Sequence, residues 1–419
     1  MAKSRTKDPV PSNCADAFPF ASARDALLQW FKTNGRVLPW RVDPTPYRVW
    51  VSEIMLQQTT TQTVERYFDR FLARFPDLKS IADADEEELL KYWEGLGYYR
   101  RAKSMRHAAI QILQARLSDL PDDYDALIKL PGVGRYVAGA VLSFGFDRRA
   151  PILEANTIRL QARLLALREP IDFAAAQNDL WKFALEWLPE LSPGPGTYRA
   201  LNSALMDLGR TVCAPNKPAC LACPLRAFCR AAALNLQDAL PIKKERTAPI
   251  PRRDVAFWIE RADLPISDDS DDARLASPTD VMLVKRAKGT LWSGLWDFPR
   301  FEDLDAVAPA SPDALLADEL RRFLLHEANA APALYAPGET VASFKHSVTK
   351  YRVTLEVKRL KIEPAKPPCK GKAPAPASPR ISKFESIRWV PVEELRNYPL
   401  SSAGRKIATL IASQNARLS

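Results

Sequence analysis

Leu130-Pro131-Gly132-Val133-Gly134-Arg135-Tyr136-Val137-Ala138-Gly139 leads through an apolar helix to Pro151-Ile152-Leu153-Glu154-Ala155-Asn156-Thr157-Ile158-Arg159, and the fold is decided by how this stretch is read. A helical pattern from Asp123 to Leu130 precedes Pro131, and a second one follows Gly134 through Phe144. Between them Gly132 and Gly134 leave a turn without Cβ atoms, so backbone amides can come close to a phosphate. The second helix starts at that turn, and its N-terminal dipole favours the same anion. Two helices joined in this way form a helix-hairpin-helix, which holds a nucleic-acid backbone without reading its sequence. Just behind it stands a carboxylate, Glu154, beside an amide, Asn156. A DNA clamp with an acid next to it points to chemistry on DNA.

Working outward, Ser22 to Leu234 is written almost entirely in helical periodicity, with Tyr47–Thr59, Thr61–Phe75, Glu86–Trp93, Arg100–Leu117 and Phe173–Leu188 as its clearest segments. Gly95, Gly97, Pro121 and Pro193 fall at their ends. The expected organisation is a disordered tail over residues 1–18 and an all-α domain over 19–235. A basic, Pro-containing linker over 236–253 and a smaller α+β domain over 254–413 follow. In the second domain, Asp254–Glu260, Val281–Lys285, Tyr351–Leu360 and Ser386–Val390 read as strands, and Pro312–His326 reads as a helix. A low-complexity insertion rich in Pro, Lys and Ala occupies 363–380.

The chain has 419 residues, enough for two or three domains, and an apolar fraction of 47%, ordinary for a globular protein. No apolar run approaches membrane-spanning length. Met1 to Pro19 has no apolar signal core, so the expectation is a cytoplasmic monomer acting at DNA, with no membrane partner. The net charge of +10 permits nucleic-acid binding without requiring it. Three histidines make a histidine-rich metal site a poor expectation. Cys213, Cys220, Cys223 and Cys229 follow C-x6-C-x2-C-x5-C, four of the six cysteines in the chain, and four thiolates can hold either a zinc ion or a [4Fe–4S] cluster. Cys14 and Cys369 read as ordinary free thiols.

Two carboxylates and one basic stretch are candidates for chemistry and DNA contact. Glu53 lies in Trp50-Val51-Ser52-Glu53-Ile54-Met55-Leu56-Gln57-Gln58-Thr59, and so many large apolar neighbours should desolvate it and raise its pKa toward a general-acid range. Glu154 supplies a second carboxylate, and cleavage of a glycosidic bond commonly uses two. Gly95-Leu96-Gly97-Tyr98-Tyr99-Arg100-Arg101, followed by Lys103 and Arg106, combines aromatic and basic groups suited to tracking a backbone.

Taken together these segments resemble the adenine DNA glycosylases of the MutY type, in the endonuclease III-like helix-hairpin-helix superfamily. The matching strings are Leu38-Pro39-Trp40-Arg41, Ser52 to Thr59, Gly95-Leu96-Gly97-Tyr98-Tyr99, Leu130-Pro131-Gly132-Val133-Gly134, Met206-Asp207-Leu208-Gly209 and the cysteine spacing. The resemblance implies an all-α helix-hairpin-helix glycosylase domain with an iron–sulfur loop, followed by a smaller α+β Nudix-like domain. It implies a [4Fe–4S] cluster on the four cysteines, and duplex DNA carrying adenine opposite 8-oxoguanine or guanine as substrate. Glu53 would protonate the adenine ring, while Tyr136, Asn156 and Glu154 would flank the cationic sugar. Arg36, Trp40, Leu56 and Ser203 would line the base pocket, and Gln58 would fill the gap in the stack. Gly132, Gly134, Arg135, Arg100 and Arg101 would hold the DNA backbone. Endonuclease III carries lysine where this chain has Tyr136, so the expected enzyme is monofunctional and leaves an abasic site.

Leu291-Trp292-Ser293-Gly294-Leu295-Trp296-Asp297-Phe298-Pro299 resembles the MutT-like domain that this family uses to recognise 8-oxoguanine. The glutamate-rich magnesium box of Nudix hydrolases is missing from Asp313 to Glu327, so the resemblance implies recognition without hydrolysis. Where the family often has Phe-Ser-His this chain has Val348-Thr349-Lys350, which makes Thr349 the recognition hydroxyl and Ser347 the runner-up. Glu154-Ala155 replaces the usual Asp-Gly, moving the carboxylate outward by on the order of 1 Å, a displacement that can cost about 100-fold in rate. Ser203 stands where Gln or Glu is usual. Related enzymes with another base choice, or a damage-binding protein with weakened catalysis, are the alternatives.

Overall fold

A computed structural model describes residues 18–244, 248–261, 280–301, 339–362 and 384–415. The Pro312–His326 helix, the 363–380 insertion, Cys14 and Cys369 lie outside these residues. The chain divides into two units, Met1–Asp83 with Arg100–Arg246, and Ala84–Tyr99 with Thr247–Ser419.

The first unit is helical: α1 (Phe20–Asn34), α2 (Pro39–Val42), α3 (Pro46–Leu56), α4 (Thr61–Arg74) and α5 (Leu78–Asp83) precede the excursion into the second unit through α6 (Glu86–Trp93). After it come α7 (Arg100–Gln114), α8 (Tyr124–Leu127), α9 (Arg135–Ala140), α10 (Ala155–Leu165), α11 (Ala174–Glu186), α12 (Thr197–Thr211) and α13 (Arg230–Ala233). α3 is started by Thr45, whose hydroxyl accepts the Arg48 N–H at 3.3 Å, and by Pro46 at its first position. It is apolar nearly all round: Val49, Trp50, Val51, Ile54 and Met55 are buried, each contributing roughly 1.5–3 kcal/mol. α3 packs against α4, α9 and the π-helical turn Val141–Gly145 that continues α9. α10 is held from two sides. Leu160 and Leu164 join Leu27, Phe183, Leu205 and Leu208 in one cluster, and Ala162 joins Leu180 and Trp181 in another.

The hairpin is shorter than its periodicity suggests. Asp123 caps α8 through the Ala126 N–H, but the helix ends at Leu127 and residues to Gly134 form a turn. Gly132 has φ +80°, and a Cβ there would meet the Ser104 Cβ at 2.8 Å, so glycine is required. Gly134 is extended at φ −97°, with open space around it, so its backbone does not need glycine.

The second unit is a mixed sheet of β1 (Ile250–Arg261), β2 (Asp280–Arg286), β3 (Trp296–Asp297), β4 (Arg300–Phe301), β5 (Thr340–Val348), β6 (Tyr351–Ile362) and β7 (Phe384–Pro391), with a closing helix α14 (Ser402–Asn415). The order is β3-β2-β1-β6-β5, with β4 on β1 and β7 on β2, and β1 runs parallel to β6 from the Ile250–Tyr351 pair onward. Alternation sorts the two faces. Ala256, Trp258, Val281 and Leu283 pack with Ala403, Ile407 and Ile411 of α14, while Val255, Phe257, Ile259, Met282 and Val284 fill the other face.

Two expected boundaries are corrected. Ile250–Arg253 is strand rather than linker, because β6 offers it a parallel partner. Ala84–Tyr99 belongs to the second unit, where Glu87 meets Lys285 at 2.7 Å, Glu94 meets Arg405 at 2.5 Å and the Tyr99 hydroxyl donates to the Leu400 carbonyl at 3.0 Å.

Candidate active site

One cavity of about 470 Å³ in the helical unit is lined by Glu53, Tyr136, Glu154 and Asn156 together with Arg36, Trp40, Leu56, Gln58 and Ser203. These nine residues come from segments spread between positions 36 and 203 and are brought to one site. α3 supplies Glu53, α9 supplies Tyr136, and the start of α10 supplies Glu154 and Asn156.

Glu53 is 3% exposed, and burial pushes its carboxyl up to about 7. The Tyr136 hydroxyl, which donates to Oε2 at 2.7 Å, and the Arg41 cation pull the other way, while the Glu154 charge adds to the rise. Burial and the adjacent carboxylates hold the Tyr136 phenol well above its ordinary range, so it stays protonated and remains the donor. The result is a carboxyl that carries a proton near neutrality and can give it to a base inside the cavity.

Glu154 has a second occupation. It is the N-cap of α10, accepting the Thr157 N–H at 3.0 Å on Oε1, while the Thr157 hydroxyl accepts the Glu154 N–H at 2.9 Å to complete a capping box. Its Oε2 accepts the Asn156 side-chain amide at 3.0 Å. Burial raises its pKa, opposed by the Asn156 and Thr157 amides and the Arg159 cation. Ala155 opens α10 in helical geometry, so replacing the usual glycine places no left-handed demand on it.

Arg41 and Asp207 complete the lining, and Arg159 stands behind it. Asp207 is 2% exposed and takes a forked pair of bonds from Arg41, at 2.7 and 3.1 Å, plus the Arg36 N–H at 2.9 Å. Leu38-Pro39-Trp40-Arg41 and Met206-Asp207-Leu208-Gly209 are therefore two halves of one contact. Arg159, one turn from Asn156 on α10, donates to the Asn156 side-chain oxygen at 2.9 Å, the Gly209 carbonyl at 2.5 Å and the Cys213 carbonyl at 2.7 Å. The i, i+3 spacing of Asn156 and Arg159 was the available signal.

Of the residues expected to hold DNA, Arg101 is corrected. It is 9% exposed, and its guanidinium donates to the Ile54, Met55 and Gln57 carbonyls and to the Thr59 hydroxyl, so it faces inward. Arg100 and Arg135 are exposed, the latter with its guanidinium 4.0 Å from the centre of the Trp181 ring.

Cys213, Cys220, Cys223 and Cys229 line one small cavity with Leu160, Leu164 and Arg163. Arg163 Nη1 lies 3.3 Å from the Cys213 sulfur, and the same guanidinium donates to the Ala214, Pro215 and Leu240 carbonyls. Burial pushes the Cys223 thiol up to about 12.

In the second unit, Ser347, Tyr98, Trp292, Phe344, His346 and Lys406 line a cavity of about 170 Å³. Thr349 stands outside that lining, exposed in the two-residue turn between β5 and β6 with φ +50°, a strained conformation for a β-branched residue. Burial and the Arg300 cation hold His346 down to about 4, so its ring is neutral.

A buried carboxyl raised to about 7 and a second carboxylate share one cleft on a helix-hairpin-helix scaffold, and the class to which the chain is similar is that of the DNA glycosylases of base excision repair. Residues 51–184 match the HhH-GPD superfamily of base excision DNA repair proteins, and residues 275–410 match the NUDIX domain. The adenine DNA glycosylase of Rattus norvegicus is 30% identical over 94% of this chain and 78% of its own length. That of Buchnera aphidicola subsp. Baizongia pistaciae is 34% identical over 66% of this chain and 72% of its own length. A solved thermostable thymine-DNA glycosylase is 26% identical over 51% of this chain and 97% of its own, with a TM-score of 0.46. The chain belongs to the adenine DNA glycosylase family and is a DNA glycosylase. Among the described residues no helix is long and apolar enough to cross a membrane.

Proposed function

We propose that this enzyme hydrolyses the N-glycosidic bond of adenine mispaired with 8-oxoguanine or guanine in duplex DNA and leaves an abasic site. The observation that carries the reading is Glu53, a buried carboxyl raised to about 7 and bonded to Tyr136, sharing a cavity with Glu154. Adenine inside a duplex is out of reach, so the nucleotide is first turned out of the stack into the cavity. Arg36, Trp40, Leu56 and Ser203 surround the base, and Glu53 gives its proton to a ring nitrogen. The base then leaves with the electron pair of the C1′–N bond, and positive charge develops on the sugar. Glu154, Tyr136 and Asn156 flank that charge, and water adds to C1′ with loss of a proton. Among the described residues lining the cavity none is a lysine, so no amine is placed to form a Schiff base, which supports a monofunctional reaction.

Four thiols around one cavity fit a [4Fe–4S] cluster, in which each thiolate binds a different iron. Cys213, Cys220, Cys223 and Cys229 would hold the cluster, which would staple the loop between α12 and α13. On the DNA backbone we place Gly132, Gly134, Arg135 and Arg100. Recognition of 8-oxoguanine falls to the second unit, with Thr349 or Ser347 as the hydroxyl. The test is single-turnover release of base from duplexes with A, T or U opposite 8-oxoguanine, guanine or cytosine. Release of adenine alone, fastest opposite 8-oxoguanine, supports the reading. Tight binding without release selects the damage-binding alternative, and preferential release of another base overturns the assignment.

A further inference from the structure

We infer that Arg101 is a positioning residue for base extrusion, holding the Gln57–Thr59 loop in the shape that presents Gln58. The inference rests on the base-excision reading above. α3 ends at Leu56, and a helix end leaves its last carbonyls without intrahelical partners. Arg101 gathers them: Nη1 lies 2.8 Å from the Ile54 carbonyl, 2.7 Å from that of Met55 and 2.5 Å from that of Gln57. Nη2 reaches across to the Thr59 hydroxyl at 3.1 Å. One guanidinium thus grips the chain on both sides of Gln58, a residue with φ +59° that is exposed at the rim of the cavity holding Glu53.

A non-glycine residue in the left-handed region persists only where its surroundings fix it. The Thr59 N–H closes the turn onto the Leu56 carbonyl at 3.3 Å and the Thr59 hydroxyl donates to the Gln57 carbonyl at 3.4 Å, and Arg101 ties both sides of it to α7 with a planar fork that can serve several acceptors at once, a geometry the single ammonium of lysine lacks. The consequence for function is specific. Turning a nucleotide out of a duplex leaves a gap, and the group that fills it must already be aimed there. Gln58 is that group in the proposed reaction. The effect of Arg101 therefore falls on extrusion of a paired adenine rather than on release of an adenine that is already unpaired.

The experiment compares full-length wild type with Arg101→Lys, Gln58→Ala and the double variant, on a duplex with adenine opposite guanine and on one with adenine in a single-base bulge. 2-Aminopurine at the target position reports unstacking by fluorescence. Arg101→Lys is expected to slow both the fluorescence rise and adenine release about 100-fold on the paired duplex, and no more than about 3-fold on the bulge. The double variant is expected to be no slower than Gln58→Ala, as for residues acting through one another. Thr59→Val, which removes the hydroxyl that accepts from Arg101 together with its own 3.4 Å bond to the Gln57 carbonyl, should give the same pattern on a smaller scale and carries the test if Arg101→Lys does not fold. Equal slowing on paired and bulged substrates, or losses that multiply in the double variant, would overturn the role of Arg101. Failure of the wild type to release adenine from either duplex would instead remove the base-excision reading beneath it.

Discussion

At the scale of single residues, the proposed reaction depends on the state of two carboxyls. Glu53 has a folded pKa of about 7 against an ordinary 4.5, so the folded protein holds the proton more tightly than the unfolded chain. The stability this contributes is fully present below about 4.5 and is lost as pH rises toward and through about 7; the shift is worth about 3 kcal/mol. Glu53→Gln removes the buried charge that appears at higher pH while keeping an oxygen for the Tyr136 hydroxyl. The variant should therefore be inactive in adenine release yet melt at a higher temperature than wild type at pH 8, and at a similar temperature at pH 4. Thermal melts at the two pH values check the sign. For Glu154 the neutral isostere is equally informative, because an amide oxygen can still cap α10. Glu154→Gln should lose about 100-fold in single-turnover rate and about 1–3 kcal/mol of stability, because its NH2 meets the Asn156 amide as donor against donor. Glu154→Asp should keep the cap and change the single-turnover rate by up to about 100-fold, the scale that about 1 Å of reach carries.

At the scale of elements, close approach of helices sets the site. Gly209 on α12 faces the Asn156 backbone, and a Cβ there would sit 2.7 Å from the Asn156 oxygen and 2.9 Å from its carbonyl carbon. Gly209→Ala should cost about 1–3 kcal/mol and reduce turnover by displacing Asn156, with the stability loss measured by denaturant unfolding. The sequence made much of this legible. Continuous apolar residues around Glu53 announced its burial, and the glycine turn before Tyr136 announced the hairpin. Arg101 was misread because its local neighbours, two tyrosines and further cations, suggest a DNA-facing patch. The better signal was its place on a stripe with Met105, Ala108 and Ile112, at i, i+4, i+7 and i+11, which is the buried face of α7. β5 was missed because one of its faces is exposed and its polar and apolar residues alternate without an uninterrupted apolar run. The pairing of Asp207 with Arg41 could not be read from the chain, since 166 residues separate them and neither has a local partner pattern.

For the molecule as a whole, two helical ends converge on the cysteine loop, and Arg163 ties Cys213, Ala214, Pro215 and Leu240 together. If the proposed cluster staples this loop, removing its iron by chelation should lower the melting temperature by roughly 10 °C, corresponding to about 4 kcal/mol for a unit of this size, and weaken duplex binding. The visible absorbance expected of such a cluster should be lost in step with both. In the second unit, Thr349→Val should reduce the preference for 8-oxoguanine over guanine in the opposite strand while leaving the adenine–guanine rate within about 3-fold, the scale of one neutral hydrogen bond. An unchanged preference would shift that role to Ser347. The proposed reaction turns on Glu53 being a protonated acid in the cleft at neutral pH. Its most direct test is the single-turnover rate of adenine release from pH 5 to pH 9 with saturating wild-type enzyme. The prediction is a rate that holds on the acid side and falls about tenfold per pH unit above about 7, with no residual limb in Glu53→Gln. A flat profile across neutrality, or a Glu53→Gln variant as fast as wild type, would contradict it.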